Sequence, residues 1–360
     1  MEANNNLTNQ YGLRNVLIAR FSAIGDVAMT IPVVYSACRC YPNINFYFIT
    51  RPSMTSIFIN APENLKLIGV DVKDDYKGIG GMYRLLKNLH RDYAIDAFVD
   101  LHDVLRTHLL RLFCRIKGIR VARINKGRGG KHALTRKHNK VMLPLTSSID
   151  RYRETFFRLG LPIQELFNGI FPNEKANAEI FEEITQAKGN DEKWIGIAPF
   201  AKHIGKIYPA SLMEKVIADL SQITNAKIFL FGGGPNEQKV LSEWAKKYER
   251  VISLADKRYG FPTEMALMSH LDVMVSMDSA NMHLASLVGT TVVSIWGATH
   301  PYCGFKGWRQ DECNMIQLPM TCRPCSVFGN KPCMHGDYHC LSGIPSQVII
   351  DKVRSLVIHN

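Results

Sequence analysis

At 360 residues the chain is long for one hydrophobic core and suits two domains of ordinary size. Hydrophobic residues make up 46% and charged residues 21%, the balance of a soluble globular protein, and no apolar run approaches the roughly 20 residues that a membrane-spanning helix needs. The formal charge of +12 is concentrated: no acidic residue lies between Asp103 and Asp150, a window holding twelve of the 44 Lys and Arg, so the remainder is balanced at 32 against 32.

The opening MEANNNLTNQYGLR is polar and lacks the basic-then-apolar pattern of a signal peptide, which places the protein in the cytoplasm. An odd number of cysteines, nine, two of them (Cys38 and Cys40) within a helical pattern, fits a reducing compartment. In chain order, NVLIAR, INFYFIT and AIDAFVDL read as buried strands, and helical spacing follows in VAMTIPVVYSACRCY, MYRLLKNLHRDY and VLRTHLLRLFCRI. From Leu161, LPIQELFNGIFPNEKANAEI has two prolines and little periodicity and reads as the interdomain connection. A second series then alternates strands KWIGIAPF, AKIFLFGGG, RVISLA, DVMVSM and TTVVSIWG with helices ASLMEKVIADLSQ, EQKVLSEWAKKY, TEMALMSHL and ANMHLASLV, and PSQVIIDKVRSLVIH closes the chain as a helix. Strand and helix repeated in this way predict two doubly wound parallel-sheet domains, over residues 1–172 and 173–360, facing an interdomain cleft.

Ligands of open α/β sheets bind beyond the carboxyl ends of the strands, so the residues just after strands carry the functional information. Asp26, where the first strand hands over to a helix, is either an ordinary first-turn acid favoured by the helix dipole or a general base facing the cleft. Asp278 and Ser279 stand at the start of a helix whose unpaired N–H groups suit phosphate, with His283 one turn on; the competing reading is a plain N-cap. FLFGGGPNE brings Gly232 and Gly233, where backbone can approach a ligand closely, and Glu237, which can reach ribose hydroxyls. APFAKHIGKIYP brings Lys202 and Lys206, able to neutralise a diphosphate. Three such loops on one sheet edge point to a nucleotide-diphosphate site. No D-x-D occurs, so lysine and helix N-terminal dipoles are expected to hold the leaving group without a metal. In CRPCSVFGNKPCMHGDYHC, Cys322, Cys325, Cys333 and Cys340 are either a structural zinc set or plain thiols. The basic window is either a solvated loop or the seat of an anionic partner, and without interleaved aromatics it argues against nucleic acid.

Together ARFSAIGDVAMTIP, GKIYP and VSMDSANMHLASLVGTTVVSIWG resemble the R-x-x-x-x-G-D, K-x-W-P and D-[ST]-G-x-x-H segments of glycosyltransferase family 9, the ADP-heptose:lipopolysaccharide heptosyltransferases; DLHDVLRTHLL and SSIDRYRETFFRLGLP also look like family segments. The resemblance spans roughly residues 15 to 345. It implies a GT-B fold of two Rossmann-like domains, with acceptor in the first and sugar nucleotide in the second, and an inverting, metal-independent reaction without a cofactor. It implies that Asp26 is the catalytic base, that Lys206 meets the donor phosphates, and that Asp278, Ser279, Ala280, Asn281 and His283 bind the donor, as Glu237 does at the ribose. The chain departs from the pattern at Ala280, where glycine is usual, at Tyr208, where tryptophan is usual, and in PFAKHI, which lacks the usual hydroxyl residues.

The expected activity is heptosyl transfer from ADP-heptose to an anionic, lipid-linked lipopolysaccharide inner-core acceptor. Arg106, Arg123, Arg128 and Lys131 are expected to hold that acceptor, with peripheral contact at the cytoplasmic membrane face and no nucleic-acid partner. The rival readings are a sugar-nucleotide epimerase or hydrolase on the same fold and, further off, a nucleic-acid-binding protein.

Overall fold

A computed structural model describes residues 9, 11–172 and 175–358, so most of the polar amino terminus and the start of the expected second domain, at residues 173 and 174, lie outside the described residues. Strands β1 (Asn15–Ala19), β2 (Asn45–Thr50), β3 (Leu65–Gly69), β4 (Ala97–Asp100) and β5 (Arg120–Arg123) form one parallel sheet in the order β3-β2-β1-β4-β5. Val16–Ala19 and Ala97–Asp100 are fully enclosed, as the central strands of a sheet covered on both faces must be, and the apolar runs Val16–Ala19 and Ala97–Val99 follow from that. Helices α1 (Ile24–Ala28), α2 (Ile31–Cys40), α3 (Gly78–Tyr93) and α4 (Leu105–Ile116) connect these strands. The single helix expected over residues 27–41 is two helices, because the chain breaks at Met29–Thr30 and restarts with Pro32 in the first turn, where a missing N–H leaves no bond unmade.

After α5 (Arg128–Thr135) and α6 (Ser148–Arg158), strands β6 (Lys193–Ala198), β7 (Ala226–Leu230), β8 (Val251–Ser253), β9 (Val273–Met277), β10 (Val292–Trp296) and β11 (Met315–Gln317) build a second parallel sheet in the order β11-β10-β9-β6-β7-β8. Its helices are α7 (Ala210–Leu220), α8 (Pro235–Lys247), α9 (Phe261–His270), α10 (Ala280–Leu287), α11 (His339–Ser342) and α12 (Ser346–Val357). Ile349, Ile350, Val353 and Val357 seat the closing helix in the core of this sheet.

The chain divides into two compact units, but not at one point. The first comprises the residues up to Lys126 together with Thr146–Asn168; the second comprises Gly127–Leu145 and the residues from Gly169 onward. This corrects the expected division into 1–172 and 173–360. The physical reason lies in Gly127–Leu145: Lys140 Nζ donates to the carbonyls of Cys322 and Pro324, Leu145 N–H donates to Tyr302 O at 3.0 Å, and Lys131 Nζ stands 4.4 Å from the centre of the Phe305 ring. Much of the basic window is thereby fastened to the second unit. The expected connection at 161–180 has neither helix nor strand before a short 3₁₀ turn at Ala178–Phe181 among the described residues, and it begins on the first unit, where Ser36 Oγ accepts the N–H groups of Leu166 and Phe167.

Candidate active site

Each sheet reverses direction beside its first strand: β1 lies between β2 and β4, and β6 between β7 and β9. Loops leaving two such neighbouring strands part in opposite directions and open a crevice, the switch point of an open α/β sheet. The two groups of residues singled out from the sequence stand at these two points.

In the first unit, Asp26 is the third residue of α1. Its Oδ2 accepts the Ala23 N–H at 3.1 Å and pairs with the Arg20 guanidinium at 2.7 Å. The capping role is therefore real, and it coexists with access, since the carboxylate side chain is 26% exposed. Arg20 leaves β1 almost fully buried, donates from Nη1 to Leu101 O at 2.7 Å and stands 6.0 Å from the centre of the Tyr152 ring. Tyr152 Oη in turn donates to Asp26 O at 3.3 Å. From the neighbouring β4 loop, His102 Nδ1 accepts the Phe21 N–H, and its Nε2 is 3.4 Å from the Ser22 hydroxyl. Burial, reinforced by the positive charges of Arg20 and Lys126, pushes the His102 pKa down to about 3, so the ring is neutral at physiological pH and a poor proton acceptor. The Asp26 carboxylate, by contrast, is partly exposed.

Asp100 and Asp103 fasten this crevice. Asp100 Oδ1 accepts the N–H groups of His102 and Asp103, and Asp103 Oδ1 receives Arg111 at 3.0 Å and His108 at 2.9 Å. Arg123 stands 3.7 Å from the same oxygen while remaining largely exposed. Arg106 is exposed on α4. Arg128 and Lys131, grouped with these two on charge alone, lie on α5 in the second unit, so the expected acceptor set is split between the units.

In the second unit, Lys206 Nζ pairs with Asp278 Oδ2 at 2.8 Å, and the Thr299 hydroxyl donates to the same oxygen at 2.8 Å. Lys206 sits on a 3₁₀ turn, Ile204–Lys206, pressed against the Cys-rich segment: a Cβ on Gly205 would stand 2.9 Å from Gly329 O, and one on Gly329 2.7 Å from Lys206 Cγ. Gly329 also has φ of +75°, so its side chain is excluded twice over. Arg323 holds the facing loop by donating to the carbonyls of Gly297, Leu318 and Thr299.

Ser279 occupies the N-cap of α10, yet its hydroxyl makes no capping bond and lies 3.3 Å from Ser276 Oγ. Ala280 and Asn281 follow half-buried in the first turn and His283 is buried in the second. These residues thus gather with Lys206 around one helix start. Lys202 is exposed and makes no ion pair among the described residues. Tyr208, in place of the usual tryptophan, is a core residue whose hydroxyl donates to Ile344 O at 2.7 Å.

Glu237 turns inward on its own loop. Its Oε2 accepts the N–H groups of Gly233 at 2.9 Å and Gly234 at 3.4 Å, closing a capping box at α8. Gly232 is required by packing, since a Cβ there would lie 2.6 Å from Leu241 Cδ1, whereas Gly233 faces open space.

The four tail cysteines do line one small cavity, of about 20 Å³, with His335 and His339. Among the described residues, however, no three His, Cys, Asp or Glu side chains stand close enough to hold a metal ion, and none of the nine cysteines is disulfide-bonded. Burial raises the Cys325 thiol and lifts that of Cys340 to about 11.

Sequence reasoning overlooked Glu264, in the first turn of α9 as the chain returns from β8. Neighbouring atoms strip its hydration and raise its carboxyl pKa to about 7. A carboxyl more easily protonated folded than unfolded loses stability as pH rises from its ordinary range through neutrality. Glu264→Gln is therefore expected to flatten the dependence of Tm on pH between about pH 5 and 8 and to stabilise the protein by about 2 kcal/mol at the upper end. Thermal melts of both proteins across that range check this; parallel curves would exclude it.

The family model for glycosyltransferase family 9 (heptosyltransferase) matches residues 82–333. Lipooligosaccharide heptosyltransferase 2 of Campylobacter jejuni is 22% identical over 342 residues, covering 92% of this chain and 96% of its own. The crystal structure of a family 9 glycosyl transferase from Veillonella parvula superposes with a TM-score of 0.73 at 16% identity, over 96% of this chain and 98% of its own. The Escherichia coli heptosyltransferase WaaC with ADP-2-deoxy-2-fluoro heptose gives a TM-score of 0.63 at 17% identity, over 95% and 99%. The fold is GT-B, and the chain belongs to glycosyltransferase family 9, the heptosyltransferases, and is a glycosyltransferase.

Proposed function

We propose that the protein transfers heptose from ADP-heptose, with inversion, onto a lipid-linked sugar of the lipopolysaccharide inner core. The observation that carries this reading is the Lys206–Asp278 pair at the foot of α10, a half-buried cation anchored to a buried carboxylate beside helix N–H groups at the switch point of the second sheet. The sugar nucleotide bound to WaaC and the lipooligosaccharide substrate in the name of the Campylobacter relative support the choice of donor and acceptor.

Asp26 takes the proton of an acceptor hydroxyl as that oxygen attacks the anomeric carbon. The new C–O bond forms on the face opposite the bond that breaks, and the departing electron pair goes to the β-phosphate oxygen of ADP. An ammonium has three donors, of which Asp278 occupies one, so Lys206 retains donors for the diphosphate while its position is fixed. The first N–H groups of α10, at Ala280 and Asn281, face the same developing charge. This division of labour requires no divalent cation. Arg106 and Arg123 attract the anionic core sugars from the first unit, and Arg128 and Lys131 from the second.

A donor screen tests the reading. ADP is expected to raise Tm more than UDP or GDP, and ADP-heptose to be consumed only when a lipopolysaccharide-core acceptor is present. Preference for another nucleotide would replace ADP-heptose with a different donor, and consumption without acceptor would indicate hydrolysis or epimerisation of the sugar nucleotide in place of transfer.

A further inference from the structure

Helix α4 is apolar on the side turned away from the protein. Thr107, Leu110, Arg111 and Cys114 form its inward face, while Leu105, Leu112 and Ile116 are 76%, 51% and 73% exposed. Positions 105, 109, 112 and 116 follow the i, i+4, i+7, i+11 spacing that, at about 3.6 residues per turn, makes one stripe opposite the buried one. Half-buried Leu109 fills the gap in that stripe. The patch continues onto the packed neighbour α3, where Ile79 is 67% and Tyr83 48% exposed and the Tyr83 ring meets Phe113 edge-on at 5.4 Å. Arg106 flanks the stripe on one side and Arg115 on the other, with Lys117 beyond the helix end; all three are exposed. No acidic side chain lies on α4 or anywhere from 104 to 149.

A stripe of aliphatic side chains rimmed by exposed cations is the composition of a helix that lies in a lipid interface. Its charge selects the occupant. A second copy docked face to face about a twofold axis would set Arg115 and Lys117 against equal charges, whereas anionic headgroups complement them. No helix among the described residues is long and apolar enough to cross a membrane, so a lipid contact through this face lies at the surface. We propose that the outward face of α4 docks on an anionic lipid surface, inserting Leu105, Leu112 and Ile116 at the acyl boundary with Arg106 and Arg115 at the phosphates.

The helix starts five residues after Asp100, at the carboxyl edge of the sheet that carries Asp26, so docking brings that edge to the plane in which a lipid-linked acceptor is held. This purpose rests on the acceptor reading above; the binding itself does not, because vesicles lacking any acceptor measure it.

The 360-residue protein is floated with vesicles of phosphatidylethanolamine and phosphatidylglycerol, and with vesicles of phosphatidylcholine alone. It is expected to partition to the anionic vesicles and not to the neutral ones. The double variant Leu112→Gln/Ile116→Gln is expected to lower partitioning roughly tenfold or more, and Arg115→Glu/Lys117→Glu by at least about as much. Both should keep the wild-type circular dichroism and the same Tm shift with ADP, since all four side chains are exposed and none belongs to the donor site. Unchanged flotation of either variant overturns the proposal. So does absence of lipid binding together with a wild-type dimer that the Gln variant dissolves, which would assign the face to a second copy. Absence of an ADP shift in the wild type would instead count against ADP-heptose as the donor while leaving the flotation result intact.

Discussion

Asp26→Asn is expected to abolish most transfer while leaving donor binding in place. Asparagine keeps an oxygen that can accept the Ala23 N–H and face Arg20, so the start of α1 retains its shape. It cannot take up a proton, and loss of a positioned general base slows transfer by about 10²-fold or more. Arg20, nearly buried, loses its anionic partner, and a weaker neutral hydrogen bond replaces an ion pair, so a stability loss of about 1–2 kcal/mol is expected alongside. The two effects separate by experiment. Turnover is measured well below the Tm of the variant, and ADP affinity by titration should match the wild type because the donor residues lie in the other unit. The base role predicts a kcat collapse with little change in donor Kd. Near-normal turnover would leave Asp26 as a helix cap alone, and weakened ADP binding would mean that the substitution disturbs more than proton transfer.

How far the sequence revealed this arrangement depended on burial. Central strands such as β1 and β9 are apolar at all but one position because both faces are covered, and they were legible. The three strands that went unread, β3, β5 and β11, are all sheet edges. LKLIG and RVAR mix charged with apolar residues because one side of each strand meets solvent, which erases the signal that reading relies on. At the site, Asp26, Lys206 and Asp278 were legible because each follows a strong strand. Their partners were harder to see. Arg20 lies within the same motif as Asp26, whereas His102 and Tyr152 reach it from distant segments. Charge counting placed Arg123 with Arg128 because they are five residues apart, yet the chain passes from one unit to the other between them. Contiguity in sequence carried no information there; the hydrogen bonds of Lys140 did. Glu237 shows the converse, a site candidate by position whose carboxylate is engaged by its own glycine loop.

Removing the Lys206 ammonium is expected to damage stability and chemistry together, and a second substitution pulls the two apart. Asp278 is 4% exposed, and in Lys206→Met the Thr299 hydroxyl is the one side-chain partner left to its Oδ2 among the described residues. A buried carboxylate stripped of its cation destabilises a fold by about 3–5 kcal/mol, somewhat less where a hydroxyl remains, so a loss of about 3 kcal/mol is expected. ADP affinity should fall by about tenfold or more as one charge-assisted contact disappears, and kcat by about 10²-fold or more, because the leaving diphosphate gains negative charge in the transition state. In the double variant Lys206→Met/Asp278→Asn the uncompensated charge is gone, and an amide still accepts from Thr299. Its Tm should recover most of the loss while transfer stays as low as in the single variant. Recovery of transfer along with Tm would mean that Lys206 serves only to neutralise Asp278, and the diphosphate would then depend on the N–H groups of α10 alone.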